Sequence, residues 1–239
     1  MALRIDAWAT RRGCWRQLVR NQLVKGSGTS RAQEEVVRFR TVRPEELEAA
    51  LAVAGETVSA EYLAIYERCP DLFTCCSEGP QIIGVCCGWS VRSDRDGLDR
   101  MRLHVIAILP GQQRRGYGSR LLRYWEDRVR ARGDWTIDLG SGADGFYLRA
   151  GYTPLEYAVK VPKDKLPHDY RNLGFEISYV RDPADPGGDE VCLYTRVGER
   201  YRAEVLGKLR QVFGASSSFT VFEKRVIGSR ASGPTAAAD

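Results

Sequence analysis

The residues of this 239-residue chain whose types and spacing could do chemistry are concentrated in a turn rich in arginine and glycine, residues 113–119. An apolar run over 103–109 precedes the turn, and apolar side chains recurring at helical spacing follow it. A strand that leads through such a turn into a helix leaves backbone N–H groups unpaired at the positive end of the helix dipole. The pattern therefore predicts a site for an anion, and a phosphate group suits it.

The spacing of the glycines limits which phosphate motif this is. Gly116 and Gly118 would let a phosphate approach the backbone closely. The Gly-Lys-Ser/Thr ending of a P-loop is absent from residues 113–119, and so is the third glycine of a dinucleotide-binding turn. The pattern that fits is Gln/Arg-x-x-Gly-x-Gly/Ala, here Gln113-Arg114-Arg115-Gly116-Tyr117-Gly118. Taken alone, it leaves an ordinary strand-turn-helix connection as the alternative.

Two segments resemble motifs of the GCN5-related N-acetyltransferases, the GNAT superfamily. The strand sequence Ile106-Ala107-Ile108-x-Pro110 is similar to the Leu-Ala-Val-x-Pro strand that precedes the same turn in that family. Residues 145–152, Gly-Phe-Tyr-Leu-Arg-Ala-Gly-Tyr, are similar to the family signature Phe-Tyr-x-x-x-Gly-Phe/Tyr. On these two matches the chain is identified as a member of the superfamily, although no specific member is identified.

The resemblance implies a fold and a cosubstrate. The expected fold class is α/β (α+β), with a mixed central sheet flanked by helices and an extra C-terminal strand-strand-helix-strand segment. The expected cosubstrate is acetyl-CoA, without a metal. Backbone N–H groups of residues 114–119 would hold the pyrophosphate of coenzyme A, and Arg114 or Arg115 would add charge. The implied cofactor-binding residues are Ile106, Ala107, Ile108, Gln113, Arg114, Arg115, Gly116, Tyr117, Gly118 and Ser119.

The same resemblance suggests how the acetyl group is activated. The N–H of Ile106 would face the acetyl oxygen, and Ile108 would pair with the pantetheine arm. Tyr147 matches the tyrosine that many family members use as the general acid for the leaving thiolate. A core tyrosine on a short helix is the alternative for this residue.

His104 is the candidate general base. Strand alternation puts it on the same face as Ile106, and an unperturbed histidine pKa of about 6.5 suits a base at neutral pH. Arylalkylamine N-acetyltransferases carry two histidines on this strand; His104 matches the second, while Arg102 stands at the first. Many histone acetyltransferases have a glutamate where Arg102 stands, so their mechanism is not supported. The alternatives are a core histidine, a water chain, or an acid such as Glu56 or Glu61.

The function this predicts is direct acetyl transfer to a primary amine, with a small molecule favoured as acceptor. A protein or peptide amine and a non-catalytic acyl-CoA-binding regulator are the alternatives. A third hypothesis, nucleic-acid binding, would rest on the basic arm over residues 1–30, which has six basic residues against Asp6 alone. Because the net charge of +5 leaves the rest of the chain close to neutral, no nucleic-acid partner is expected.

Composition places the chain among ordinary globular proteins, with 43% hydrophobic and 28% charged residues. No apolar run reaches the roughly 20 residues of a membrane span. None of the seven cysteines has C-x-x-C spacing and neither histidine lies near a cysteine cluster, so no zinc site is predicted. An odd number of mostly apolar-flanked cysteines favours a reducing cytoplasm.

Four regions are predicted along the chain. A basic extension covers 1–34, the acetyltransferase core covers 35–165, and a C-terminal segment covers 166–228. That segment would complete the sheet, form a small module or provide the surface of a homodimer. Residues 229–239 are small and polar, which is typical of a disordered tail.

Periodicity and chain breakers predict the elements that must position the site. The predicted strands cover 36–42, 72–77, 81–91, 103–109, 135–139, 153–161, 175–180, 191–197 and 219–226. The predicted helices cover 44–54, 59–68, the segment between Gly118 and Gly133, 143–150 and 199–213. The strand over 103–109 is almost wholly apolar, and it is therefore expected to be covered on both faces.

Overall fold

A computed structural model describes residues 37–93, 96–165, 177–181, 190–196, 211 and 217–228. The predictions for residues 1–34, for all but one residue of the helix over 199–213 and for the tail lie outside these residues. The chain divides into two compact units. The larger unit comprises Glu35–Leu139, Ala143–Thr153 and Phe222–Asp239, and the smaller one includes Gly140–Gly142 and Pro154–Val221.

The larger unit begins with a short strand and two helices. Strand β1 (Arg38–Thr41) leads through a 3-10 turn (Pro44–Glu46) into helix α1 (Leu47–Ala52). Helix α2 (Ala60–Arg68) begins after Ser59, whose hydroxyl accepts a hydrogen bond from the backbone N–H of Tyr62 at 3.2 Å. The predicted order of strand, helix and helix is confirmed.

An antiparallel meander follows and leads into the central helix. Strands β2 (Phe73–Glu78), β3 (Gln81–Arg92) and β4 (Asp99–Ile108) precede helix α3 (Tyr117–Ala131). Strand β5 (Trp135–Ser141), helix α4 (Asp144–Arg149), strand β6 (Thr153–Pro162) and the last strand, β9 (Ser217–Val226), complete the elements that contribute to this unit.

The sheet of the larger unit has the strand order β1-β2-β3-β4-β5-β9, with β9 contributing from Phe222 onward. The pairs from β1 to β4 are antiparallel, whereas β4 and β5 are parallel. This mixed sheet flanked by helices confirms the predicted fold class. In the described part of the chain, β4 and β5 pair at Met101↔Ile137 and Arg102↔Asp138 and no further, so the rest of β4 extends beyond the ladder.

A β-bulge interrupts the pairing of β3 with β4 beside this point. Cys87 pairs with Val105 and Gly88 pairs with Leu103, so His104 is the extra residue. Gly88 is required by close packing, because a Cβ there would lie 2.2 Å from the backbone oxygen of Arg102 and 2.6 Å from the ring of Trp125. The indole N–H of that tryptophan, on α3, donates to the carbonyl of Leu72 at 3.1 Å.

Strand β4 differs from the prediction in its coverage. Met101, Leu103 and Val105 are buried, but His104 and Ile106, which alternate with them along the strand, are only partly buried. The expectation of a strand covered on both faces is therefore wrong. The less covered face is the one on which His104 and Ile106 lie, and in the described residues β4 also leaves its parallel neighbour after Arg102, which opens one edge of its second half.

Two element boundaries also differ from the prediction. Strand β4 begins at Asp99 because its hairpin with β3 extends to the pair Arg92↔Asp99. Strand β5 continues through Gly140, where the sequence predicted a stop. A Cβ at Gly140 would lie 2.9 Å from the ring of Phe219, so this glycine accommodates a packed aromatic ring rather than a turn.

The smaller unit has the strand order β9-β6-β8-β7. Strands β7 (Ile177–Arg181) and β8 (Glu190–Arg196) are antiparallel to each other, and β8 is antiparallel to β6. Ala158, Cys192 and Tyr194 form its core with Phe219 and Val221. The predicted strands of this region are confirmed. None of the helices in the described residues is long and apolar enough to cross a membrane.

Candidate active site

The loop between β4 and α3 is built around Gly116. This residue is the N-cap of α3 and has φ 79°, a left-handed conformation that favours glycine. The first intrahelical hydrogen bond runs from the N–H of Arg120 to the carbonyl of Gly116 at 3.2 Å. The N–H groups of residues 117–119 therefore have no partner within the helix. Because the first turn also contains no acidic residue, this end of α3 favours an anion.

Side chains within the loop hold its shape. The amide of Gln113 donates to the carbonyl of Ile108 at 3.0 Å, which ties the loop back to the end of β4. The amide of Gln112 donates to the carboxylate of Glu78 at 3.1 Å and accepts from the guanidinium of Arg115. That guanidinium also lies 5.1 Å from the ring centre of Tyr117. Gln113 and Arg115 thus have structural partners before any ligand binds.

Arg114 differs from its neighbour Arg115. It is the one residue other than glycine with positive φ, 64°, in the described part of the chain, and it is exposed. Among the described residues its guanidinium has no hydrogen bond or ion pair. Arg114 is therefore the loop's available positive charge.

Arg102 is fully engaged by an acid on the neighbouring strand. Its guanidinium donates to both carboxylate oxygens of Asp138, at 3.0 and 2.8 Å. The pair lies at the last rung between β4 and β5, where the two strands separate. Arg102 is thus a fixed, ion-paired charge beside the open half of β4.

His104 belongs to an aromatic cluster formed by Tyr62, Trp89 and His104. The imidazole lies 4.5 Å from the ring centre of Trp89 and 5.7 Å from that of Tyr62. Burial, followed by the charge of Arg102, lowers the pKa of His104 to about 4. The expected pKa near the ordinary histidine value is therefore wrong, and the imidazole is neutral at pH 7.

Tyr62 and Trp89 were not predicted as site residues. They come from α2 and β3 and have no spacing that relates them to His104 in the sequence. Burial raises the pKa of the Tyr62 hydroxyl, with Cys87, Glu56 and Glu61 as the next causes. The two alternative base candidates, Glu56 and Glu61, thus act electrostatically on this cluster.

Tyr147 lies in the core of the larger unit and is 4% exposed. Its ring contacts are Phe146 at 5.0 Å, Tyr152 at 5.5 Å and Phe222 at 5.6 Å. The surroundings of Tyr147 and His104 are thus different: one is fixed among core rings and the other belongs to the aromatic cluster.

Phe146, on α4, lies next to the loop between β4 and α3. A Cβ at Gly118 would lie 3.5 Å from the ring of Phe146 and 3.7 Å from the side chain of Ile108. The helix that carries Tyr147 therefore begins beside the N-terminus of α3. Phe146 was part of the quoted sequence signature, but its contact with the loop could not be read from it.

Comparison with known proteins identifies the family. Residues 39–152 match the model of the acetyltransferase (GNAT) family, and this range includes both motif segments. Residues 39–152 form a GNAT acetyltransferase domain. No curated protein matches it.

Solved structures resemble this chain at low sequence identity. Ard1 from Thermoplasma volcanium is 16% identical with a TM-score of 0.42, over 68% of this chain and 98% of that one. Naa20 from Chaetomium thermophilum, in complex with a bisubstrate analogue, is 21% identical with a TM-score of 0.44, over 70% and 90%. N-acetylglutamate synthase from Neisseria gonorrhoeae, complexed with coenzyme A and L-arginine, is 18% identical with a TM-score of 0.40, over 69% and 34%.

Proposed function

We propose that this GNAT domain transfers an acetyl group from acetyl-CoA directly to a primary amine. The observation that carries the proposal is the loop at the N-terminus of α3. There the N–H groups of residues 117–119 lack helical partners, beside a left-handed Gly116 and an available guanidinium at Arg114. Such an end of a helix binds phosphate through its backbone.

The loop residues fit the pyrophosphate of coenzyme A. Backbone N–H groups of residues 114–119 would bind the phosphate oxygens, and Arg114 would add a charge-assisted hydrogen bond. Gln113 and Arg115 would act by holding the loop in shape, because their side chains already have partners within it. Acetyl-CoA itself would supply the activated acetyl thioester.

The open half of β4 would position the reacting carbonyl. The N–H of Ile106 would polarise the acetyl oxygen, and Ile108 would hold the pantetheine arm, with Ala107 between them. In the described residues β5 does not pair with β4 beyond Arg102, which supports this role because main-chain groups on that edge then have no partner from β5. Donors fixed before the reaction stabilise the developing negative charge without reorganisation.

Tyr147 would donate the proton that the leaving thiolate needs. The amine nitrogen forms the new bond to the acetyl carbon, the carbon–sulfur bond breaks, and sulfur takes the phenolic proton. The ring of Tyr147 is held by three aromatic neighbours, and α4 begins beside the loop that would hold the cosubstrate.

His104 would accept the proton of the attacking amine. Because its pKa is about 4, it is a neutral hydrogen-bond acceptor at pH 7 and a weak base. It therefore suits an amine that has already lost its ammonium proton. The partly buried cluster of Tyr62, Trp89 and His104 favours a small acceptor with an apolar body over a protein or peptide amine, which is the second candidate.

Substitution of Tyr147 by Phe tests the function. We expect Tyr147→Phe to reduce kcat by roughly 10²-fold or more, the usual contribution of a general acid, while the affinity for acetyl-CoA stays within about twofold. Acetyl transfer and cosubstrate binding would be measured separately, by thiol release and by calorimetry. Unchanged turnover would contradict the acid role, and tight binding by a wild type without turnover would favour the non-catalytic regulator.

Location and assembly follow from other features. We propose the reducing cytoplasm as the compartment, because the six described cysteines are buried free thiols. We also propose that the chain forms a homodimer through residues 166–228. Light scattering of the full chain tests it, since a monomer mass at micromolar concentration would contradict the dimer.

A further inference from the structure

The last strand supplies the larger unit with residues from outside the family match. That match ends at residue 152, whereas Phe222 and Lys224 of β9 belong to the same compact unit. Phe222 and Lys224 are two residues apart on one strand, so their side chains lie on the same face of the sheet. The ring of Phe222 lies 5.6 Å from that of Tyr147, so this face of β9 reaches the proposed acid.

Lys224 joins two helices. Its ammonium donates to both carboxylate oxygens of Glu126 on α3, each at 2.9 Å, and to the carbonyl of Ala150 after α4 at 2.8 Å. It also lies 5.1 Å from the ring centre of Tyr152. All three hydrogens of the ammonium therefore have defined acceptors.

The bond to Glu126 fixes the ammonium in place. Glu126 is 1% exposed, and a buried carboxylate requires a cation close by. Arg130 approaches the same carboxylate at 3.7 Å, which is longer than the two contacts of Lys224. Lys224 is thus the principal counterion of Glu126.

The bond to Ala150 reaches the proposed acid. The last carbonyls of a helix have no partner within it, and Lys224 donates to one of them immediately after α4. The N–H of Ala150 in turn bonds to the carbonyls of Phe146 and Tyr147 at 3.2 and 3.0 Å. A shift of Ala150 would therefore shift the backbone that carries Tyr147.

We propose that Lys224 is a positioning residue for Tyr147: from β9 it holds the end of α4 through the Ala150 carbonyl, anchored by Glu126 on α3. This inference rests on the proposed acid role of Tyr147. It assigns to β9, beyond the family match, a part in acetyl transfer in addition to its part in the sheet.

The first experiment compares two ways of breaking the same ion pair in the full chain. Lys224→Met removes the donor to Ala150, whereas Glu126→Gln keeps that donor and still offers it an amide oxygen. We expect Lys224→Met to lower kcat roughly 10- to 100-fold with little change in the KM for acetyl-CoA, as for a misplaced catalytic group. Glu126→Gln should lower kcat less than about threefold, and Lys224→Arg should recover part of the loss. Equal losses in Lys224→Met and Glu126→Gln would overturn the proposal.

A second variant addresses folding, because Lys224→Met leaves a buried carboxylate without its main cation. The double variant Glu126→Gln with Lys224→Met contains neither charge and should melt closer to the wild type than Lys224→Met does. We expect its kcat to stay as low as that of Lys224→Met, since the bond to Ala150 is still missing. Recovery of kcat together with thermal stability would overturn the positioning role.

A double-mutant cycle with Tyr147→Phe asks whether Lys224 acts through the acid. In a chain that already has Tyr147→Phe, adding Lys224→Met should reduce kcat by less than about a further twofold. The reason is that the effects of substitutions at coupled residues are not additive. Additive losses would overturn the inference and leave the proposed function intact. Full activity of Tyr147→Phe alone would overturn both.

Discussion

Two parts of the larger unit contrast in how they would bind the two substrates. The loop over 113–119 is mostly exposed and offers backbone N–H groups held by Gly116. The aromatic cluster of Tyr62, Trp89 and His104 is partly buried and offers side chains from α2, β3 and β4. The first is a site made by local conformation, and the second is made by tertiary packing.

This difference explains why one part has a motif and the other has none. A left-handed N-cap requires a glycine at a fixed distance from the helix, so the loop is visible as a spacing in the sequence. The cluster needs only that three distant side chains meet, which fixes no spacing. We therefore expect the loop to respond most to substitutions that change its backbone, and the cluster to substitutions that change its charge.

Among changes to the loop and the cluster, the largest effect is expected for the backbone of the loop. Gly116→Val places a β-branched residue at φ 79°, a conformation that such side chains avoid. We expect kcat/KM for acetyl-CoA to fall by about 100-fold, equivalent to roughly 3 kcal/mol of backbone strain and lost N–H contacts. Gly111→Ala is the matched control in the same loop, because Gly111 does not have a positive φ and a Cβ there would meet nothing within 4 Å. Similar losses in the two variants would contradict a conformational role for Gly116.

The next largest effect is expected at His104, the proposed acceptor of the amine proton. His104→Gln should reduce turnover at pH 7 by about 30-fold, a typical effect of removing a proton acceptor. Because burial already keeps His104 neutral, the wild-type rate should rise with pH through 6 to 8 as the amine loses its proton. Initial rates across this range check the prediction. A plateau above pH 6.5 would mean that the histidine itself titrates there and is not shielded.

The stability of the fold should depend on His104 at lower pH, between its folded pKa of about 4 and the ordinary histidine value of about 6.5. Its folded pKa of about 4 is below the ordinary value, so between those two values the unfolded chain binds the proton and the folded chain does not. The contribution of His104 is complete above the unfolded pKa and is lost as the pH falls towards the folded one. From pH 7 to pH 5 the wild type should lose about 2 kcal/mol more unfolding free energy than His104→Gln. Urea titrations at both pH values measure this, and parallel losses would contradict the depressed pKa.

The smallest expected effect is on the KM for acetyl-CoA, and it should differ between the adjacent residues Arg114 and Arg115. Arg114→Ala should raise the KM for acetyl-CoA by about 10-fold, with less loss at high salt, since one charge-assisted phosphate contact is removed. Arg115→Ala should raise it by less than about threefold, because Arg115 is engaged with Gln112 and Tyr117. Steady-state rates at two ionic strengths test the pair. A larger effect at Arg115 would reverse the assignment of the phosphate contact.

Local signals in the sequence were enough to predict most elements of the larger unit. Ser59 caps α2 and Gly116 begins α3, and each acts within a few residues. Long-range packing was not accessible in this way. Strand β5 continues through Gly140 because Phe219 packs on it, 79 positions later, and nothing near Gly140 indicates that.

The candidate site divides along the same line. Residues 113–119 could be predicted together with their anion preference, since the chemistry is in the backbone. The lowered pKa of His104 could not be predicted from the sequence. The burial that lowers it comes from contacts with Tyr62 and Trp89, and both residues are distant from His104 along the chain. The contact of Lys224 with Glu126 joins residues 98 positions apart, beyond the reach of any local pattern.

The proposed function requires the loop and the cluster to perform acetyl transfer together. The most direct test mixes the purified full chain with isotopically labelled acetyl-CoA and primary amines of graded pKa, and measures both labelled N-acetyl product and released thiol. We expect equal amounts of product and thiol, with rates at pH 7 that increase with the fraction of each amine present as free base. Tight binding of acetyl-CoA without labelled product from any amine would contradict it.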